Sequence, residues 1–168
     1  KLYHGTNKAF EKVNLDLTKY NKDFGKGFYL TELLEQAEQM AKRTARIYGG
    51  KPTIIEFECP DNILEIPELN TKAFPKATSE WATFIINNRN KDFTEIDSPD
   101  CNHDCKYDIV YGPVGNDDIT FLLRQYVMGF IDPAMLATGL VYKTKSSKYS
   151  FHTNKSLKYL NYMGVHNG

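Results

Sequence analysis

The segment from Thr31 to Gly50 has the clearest helical period in the chain, and its flanks are short, β-rich and punctuated by glycine or proline. Thr31 can cap a helix with Glu32 and Glu35 in its first turn and an apolar stripe of Leu33, Ala37, Met40, Ala41, Thr44 and Ile47; Gly49-Gly50 ends it. Before it, Leu2-Tyr3-His4 reads as a strand ending at Gly5. The polar stretch from Asn14 to Asp23 reads as a surface loop closed by Phe24-Gly25-Lys26-Gly27, and Phe28-Tyr29-Leu30 as a second strand. After it, Thr53–Glu58 lies between prolines and reads as a strand buried on both faces.

Ser79 can cap a helix carrying Trp81, Phe84 and Ile85 and ending near Arg89. Tyr107–Tyr111 is strand-like and halted by Gly112-Pro113. Asp117–Met128 reads as a helix ended by Gly129, and Asp132-Pro133 starts a short one. Val141-Tyr142-Lys143 and Tyr149-Ser150-Phe151-His152 read as two final strands, with Thr153 or Asn154 capping a last short helix. Strands that cluster late, apart from helices, predict an α+β fold rather than a doubly wound sheet.

The sequence shows no repeat or linker, so its 168 residues are expected to form one domain. A chain of this size buries roughly 70% of its unfolded surface and needs no disulfide or metal to hold it. Its 21 Lys+Arg balance 21 Asp+Glu, which removes the long-range attraction that nonspecific nucleic-acid and anionic-membrane binders use. With no apolar run near the ~20 residues of a membrane span and no signal-peptide pattern, a soluble cytoplasmic protein is expected. Cys59, Cys101 and Cys105 cannot all pair with one another, as a reducing compartment would suit. Cys101-Asn102-His103-Asp104-Cys105 could contribute to a zinc site given a fourth ligand, but its spacing fits no strong template and a polar loop is the preferred reading, so no metal is expected.

Two clusters could carry chemistry. His4-Gly5-Thr6 places an imidazole, a bare backbone and a hydroxyl at a strand end, a group that can grip a planar ligand; the alternative is a strand-ending turn with an incidental histidine. Phe24-Gly25-Lys26-Gly27-Phe28-Tyr29-Leu30-Thr31 adds two aromatics and a hydroxyl, a wall on which a heterocycle could stack. It is not a phosphate loop, because no Gly-Lys-Ser/Thr is present. Phe28 should point away from Tyr29, toward the core.

Together these clusters resemble the diphtheria-toxin-like branch of ADP-ribosyltransferases, which includes the poly(ADP-ribose) polymerases. The whole chain is similar to a bacterial family assigned to that superfamily. The shared residues are Leu-Tyr-His-Gly-Thr at 2–6, Asp-Phe-Gly-x-Gly-Phe-Tyr-Leu-Thr at 23–31, Gln-Ala at 36–37 and Asn-Arg at 88–89. They continue with Tyr-Asp-Ile-Val-x-Gly-Pro-Val-x-Asn-Asp at 107–117 and an aromatic-small-Phe-x-Thr block at 149–153.

The resemblance implies two small antiparallel sheets packed as a split sandwich with helices around them, and NAD as co-substrate in the cleft. It also implies transfer of ADP-ribose to a macromolecular acceptor, a protein or a nucleic acid, with an inactive NAD-binding module or an NAD glycohydrolase as the alternatives. By carry-over, His4 would bond the adenosine ribose, Gly5 would meet the nicotinamide amide through its backbone, and Thr6 would support the turn. Gly27, Phe28, Tyr29, Thr31 and Met40 would complete the NAD site, with Tyr29 as its wall.

The chain departs from the superfamily pattern at two positions. Where the superfamily usually has a glutamate, and these bacterial relatives a glutamine, the alignment puts Lys148, which has no acceptor atom and brings positive charge toward a developing cation. The chain could be an inactivated variant, a weakly active NAD binder, or one in which another carboxylate serves, Asp117 being the first to test and a helix cap its plainer role. Met40 stands where the relatives carry a stacking aromatic, and its place on the apolar stripe favours core packing. Arg89 and Arg124 could reach a pyrophosphate, and the Lys143–Lys148 segment reads as an exposed loop. His152, alternating with Phe151, is expected to face solvent.

Overall fold

A computed structural model of the chain describes residues 1–114, 117–141 and 146–167. Strands β1 (Leu2–Thr6), β2 (Phe28–Thr31), β3 (Thr53–Glu58), β4 (Thr71–Ala73), β5 (Ile109–Pro113), β6 (Ser147–Phe151) and β7 (Asn161–Asn167) join in one sheet of order β4-β5-β6-β2-β1-β3-β7. The sheet is mixed: β4 and β5 are parallel and the other neighbours antiparallel. Helices α1 (Leu34–Tyr48), α2 (Ser79–Arg89), α3 (Asp117–Val127), α4 (Pro133–Val141) and α5 (Asn154–Leu157) surround it, so the fold is α+β as expected.

The sheet is weakest at its middle. β1 registers with β2 at a single pair, Tyr3 opposite Thr31, whereas β1 and β3 run in register from Leu2↔Phe57 to Thr6↔Thr53. β2 and β6 likewise pair from Phe28↔Phe151 to Thr31↔Lys148. The strands thus fall into two halves, β4-β5-β6-β2 and β1-β3-β7, joined where Tyr3 meets Thr31.

One sheet face is packed with Leu2, Phe28, Leu30, Ile55, Phe57, Ile109 and Phe151. On the other, α1 covers the β1 half through Ala37 and Ala41 against Ile54, while Phe24, Phe74, Trp81, Phe84, Ile119 and Leu136 join the β5–β6 half to α2, α3 and α4. Tyr29 and Thr31 alternate with Phe28 and Leu30 and therefore lie on this second face, as does Lys148 opposite Thr31. They occupy the strip between the two helical layers.

Several elements depart from the sequence reading. β1 continues through Thr6, which pairs with Thr53 instead of supporting a turn. α1 starts at Leu34, and Thr31 Oγ1 accepts from the Leu33 amide (3.1 Å) and donates to Gln36 Oε1 (2.8 Å). Thr78, not Ser79, caps α2 by accepting from the Trp81 amide. Gly112-Pro113 belongs to β5 and does not halt it. Asp132 and Thr153 cap α4 and α5 as expected, accepting from the Met135 and Ser156 amides. Of the expected strand at Val141-Tyr142-Lys143, Val141 ends α4 and Tyr142–Lys143 lie outside the described residues; of the expected Lys143–Lys148 loop, Lys143–Lys145 also lie outside them, while Ser147 and Lys148 are half-buried and open β6 because they pair with Pro113 and Gly112. No helix among the described residues is long and apolar enough to cross a membrane.

Candidate functional site

Gly5 fixes how α1 meets the sheet. A Cβ there would collide with the Ala37 carbonyl oxygen and lie 2.8 Å from the Ala41 amide nitrogen, so the glycine admits the helix backbone itself. Glycine at position 5 is therefore explained by helix packing, and the close approach leaves room only for alanines beneath α1. The rest of the expected stripe is displaced: Leu33, Met40 and Ile47 are exposed, so Met40 is not a core residue.

His4 spans the opening between β1 and β2. Its ring packs on Phe28 with centroids 4.3 Å apart and edge-on to Phe10, and Nδ1 donates to the Tyr29 carbonyl at 2.8 Å. A carbonyl only accepts, so the proton sits on Nδ1 and Nε2 carries a lone pair with no partner among the described residues. Burial, with the nearby Lys148 ammonium adding to it, pulls the His4 pKa down to about 4, and the ring is neutral near pH 7.

Tyr29 is held by its hydroxyl, which donates to the Gly25 carbonyl (2.8 Å) and accepts from the Phe24 amide (2.9 Å). Its ring stacks near Phe24 and meets His152 edge-on, and burial pushes the phenol well above its usual range. The loop that Tyr29 closes is clamped from behind. Arg89 Nε donates to Asp23 Oδ1 at 2.6 Å, and its NH2 group also ion-pairs with that carboxylate. Asn88 Nδ2 donates to the Asp23 carbonyl while its Oδ1 accepts from the Asn102 amide. Asn102 in turn bonds the Phe24 carbonyl and both backbone groups of Tyr107. Arg89 is thus a loop clamp, whereas Arg124 is exposed beside a groove of about 360 Å³ between α2 and α3.

His152 is buried, contrary to expectation. Nδ1 donates to the Lys26 carbonyl (2.8 Å), so Nε2 accepts from the Ser150 hydroxyl (2.7 Å), and burial lowers its pKa to about 4. The ring keeps to the side of Ser150, away from Phe151, but that face is covered by Tyr29 and the glycine loop, so it is buried beneath Gly27 and does not meet solvent. Phe28 is buried in the core as expected. Lys26 ties the loop ahead of it, donating to the Leu15 carbonyl and Thr18 hydroxyl.

Lys148 is half-buried and, among the described residues, has no carboxylate within ion-pairing distance. Burial lowers its pKa, Asp23 opposes that shift, and Lys22 and Arg43 add to it. Gln36, Met40 and Arg43 follow one flank of α1 at helical spacing. The Thr31–Gln36 bond turns that flank toward the strip. Sequence reasoning singled out His4, Tyr29 and Lys148; it gave no sign that Asn88 and Asn102 hold the loop behind Tyr29. The Asp117 side chain lies outside the described residues.

The cysteine loop is organised by an ammonium. Lys106 Nζ donates to the carbonyls of Ile96 (2.7 Å), Ser98 (2.7 Å) and Cys101 (3.0 Å). The Cys101 thiol is buried against the same segment and His103 is engaged with the Asn87 carbonyl. Among the described residues no group of His, Cys, Asp and Glu converges on a metal position.

A family profile described as protein of unknown function (DUF3990) matches residues 1–162. The chain belongs to that family. Its match spans His4, Tyr29, Lys148 and every residue of the clamp behind Tyr29. No curated protein and no solved structure gives a match.

Proposed function

We propose that this DUF3990 domain is an NAD-dependent ADP-ribosyltransferase, which cleaves the nicotinamide–ribose bond and passes ADP-ribose to a protein or nucleic-acid acceptor. The observation that carries the reading is the parting of β1 from β2 beyond Tyr3 and Thr31, with the His4 ring spanning the gap. A sheet that opens at its middle is what a split sandwich with a central cleft would need. At that opening His4 Nε2 offers a neutral acceptor for a sugar hydroxyl, and the Tyr29 carbonyl holds the imidazole in place through Nδ1, while the Tyr29 ring, anchored through its hydroxyl, faces the other side of the sheet. Thr31 and the exposed Met40 border the same strip.

Breaking the glycosidic bond leaves positive charge on the ribose, so the chain must stabilise that charge and exclude competing nucleophiles. Lys148 opposes the first requirement. It favours a second reading, a module that binds NAD or ADP-ribose without turnover.

Incubation with nicotinamide-labelled NAD tests the pair, using the native chain and Lys148→Gln. Release by either protein, abolished by His4→Ala, supports the transferase, and mass spectrometry of a treated lysate then finds the acceptor. Calorimetric binding of NAD or ADP-ribose without release supports the module. Neither binding nor release overturns both.

A further inference from the structure

The groove of about 360 Å³ between α2 and α3 shares Arg89 with the loop clamp but contains none of the residues expected to hold NAD. Its apolar lining is Ile86 from α2 and Leu123, Val127 and Met128 from α3 and the residue after it. The core uses Ile119 and Leu123 of α3. Val127 and Met128, with Phe121 one turn before Arg124 and Phe130 just beyond the helix, are instead 62–67% exposed. Single exposed apolar side chains are ordinary, but four large ones within ten residues, beside an open groove, form a surface that favours contact with another molecule. The charge of the groove is one-sided: Arg89 and Arg124 line it and no carboxylate does. Arg89 is engaged by Asp23, whereas among the described residues no ion pair involves Arg124, which is exposed. Both walls are helices, so the groove presents no strand edge on which an extended peptide could pair.

We propose that this groove seats an acidic amphipathic helix of a partner protein, with apolar side chains one turn apart entering between α2 and α3 and a neighbouring carboxylate meeting Arg124. A helix satisfies its own backbone and needs only side-chain contacts, which is what two helical walls offer. The positive lining selects an acidic partner, because an unpaired arginine is best satisfied by a carboxylate. A second copy using the same face would bring arginines toward arginines with no lining carboxylate between them. A small ligand confined to the groove would leave Phe121 and Phe130 in water. The surface stands whether or not the chain binds NAD.

The test is selection of a phage-displayed library of helical peptides, randomised on one face, against the native protein. Enriched peptides should carry apolar residues at i and i+3 or i+4 with Asp or Glu beside them, and amide shifts of the native protein should place them at Ile86 and residues 123–128. In fluorescence anisotropy the Val127→Asp/Met128→Asp double variant should lose the binding. Arg124→Glu should weaken an acidic peptide about tenfold, and replacing the peptide's acidic residues with lysine should recover the affinity for that variant alone. All three positions are exposed, so the variants are expected to melt near the native temperature. Failure to enrich any helix, enriched helices without acidic residues, or equal affinity for the native and Val127→Asp/Met128→Asp proteins overturns the proposal. So does a native dimer in light scattering that this double variant converts to monomer, which would assign the face to a second copy.

Discussion

The imidazole of His152 occupies the space that a side chain at Gly27 would need: a Cβ there would lie 2.5 Å from the ring's Nδ1 and 2.8 Å from the Phe151 carbonyl oxygen. The same Nδ1 holds the Lys26 carbonyl, so the glycine loop and the end of β6 are locked by one ring. Gly27→Ala must displace that ring or the strand, and is expected to destabilise the fold by about 1–3 kcal/mol in denaturant titration. Gly49→Ala is a useful contrast, because no atom lies within 4 Å of its added Cβ and only its positive φ of 80° is strained.

Acid should unfold the protein through its buried imidazoles. His4 and His152 have pKa values near 4, below the ordinary 6.5, so the unfolded chain binds more protons between those values. Their contribution is complete above about pH 6.5 and is lost as pH falls toward 4, with His152 accounting for up to about 3 kcal/mol. Thermal melts across that window are expected to show a steep decline in Tm. A His152→Gln variant should start less stable and decline less. An equally steep fall in the variant would assign the acid sensitivity elsewhere.

Arg89 and Asp23 form the clamp that aims the glycine loop at Tyr29. Asp23 is nearly buried, so Arg89→Met leaves a carboxylate without its guanidinium, at a cost of about 3–5 kcal/mol in chemical denaturation. Replacing both residues with apolar ones should recover much of that loss. A double-variant cost equal to the sum of the Arg89 and Asp23 single-variant costs would mean that the pair is not coupled.

Legibility in the sequence followed the range of the interactions. α1 and β3 were readable because the glycine stop, the flanking prolines and composition are local signals, although α1 begins at Leu34 without the side-chain cap expected of Thr31. β4 and β7 were not: Thr71-Lys72-Ala73 is short and polar and is a strand only because β5 lies beside it. β7 carries Gly164 at φ 141° opposite Glu56, next to an irregularity in the β3 ladder. Met40 was assigned to a core that α1 does not have, because the closeness allowed by Gly5 narrows the buried face to Ala37 and Ala41. Asn88 and Asn102 gave no functional signal of their own. Their role exists only through the backbone groups of Asp23, Phe24 and Tyr107 that folding brings to them.

Tyr29 separates the structural from the ligand-binding part of the site. Its hydroxyl satisfies one backbone donor and one acceptor in the loop, so Tyr29→Phe leaves the Phe24 amide and Gly25 carbonyl without that partner, a loss of about 1–3 kcal/mol in stability. The ring remains, and stacking of a heterocycle depends on the ring. Tyr29→Phe is therefore expected to be less stable yet to keep most of its affinity for NAD at a temperature where it is folded. Tyr29→Ala should lose both. Equal binding by the alanine variant and the native chain, measured by calorimetry on folded protein, would remove Tyr29 from the ligand site and leave it as the keystone of the loop alone.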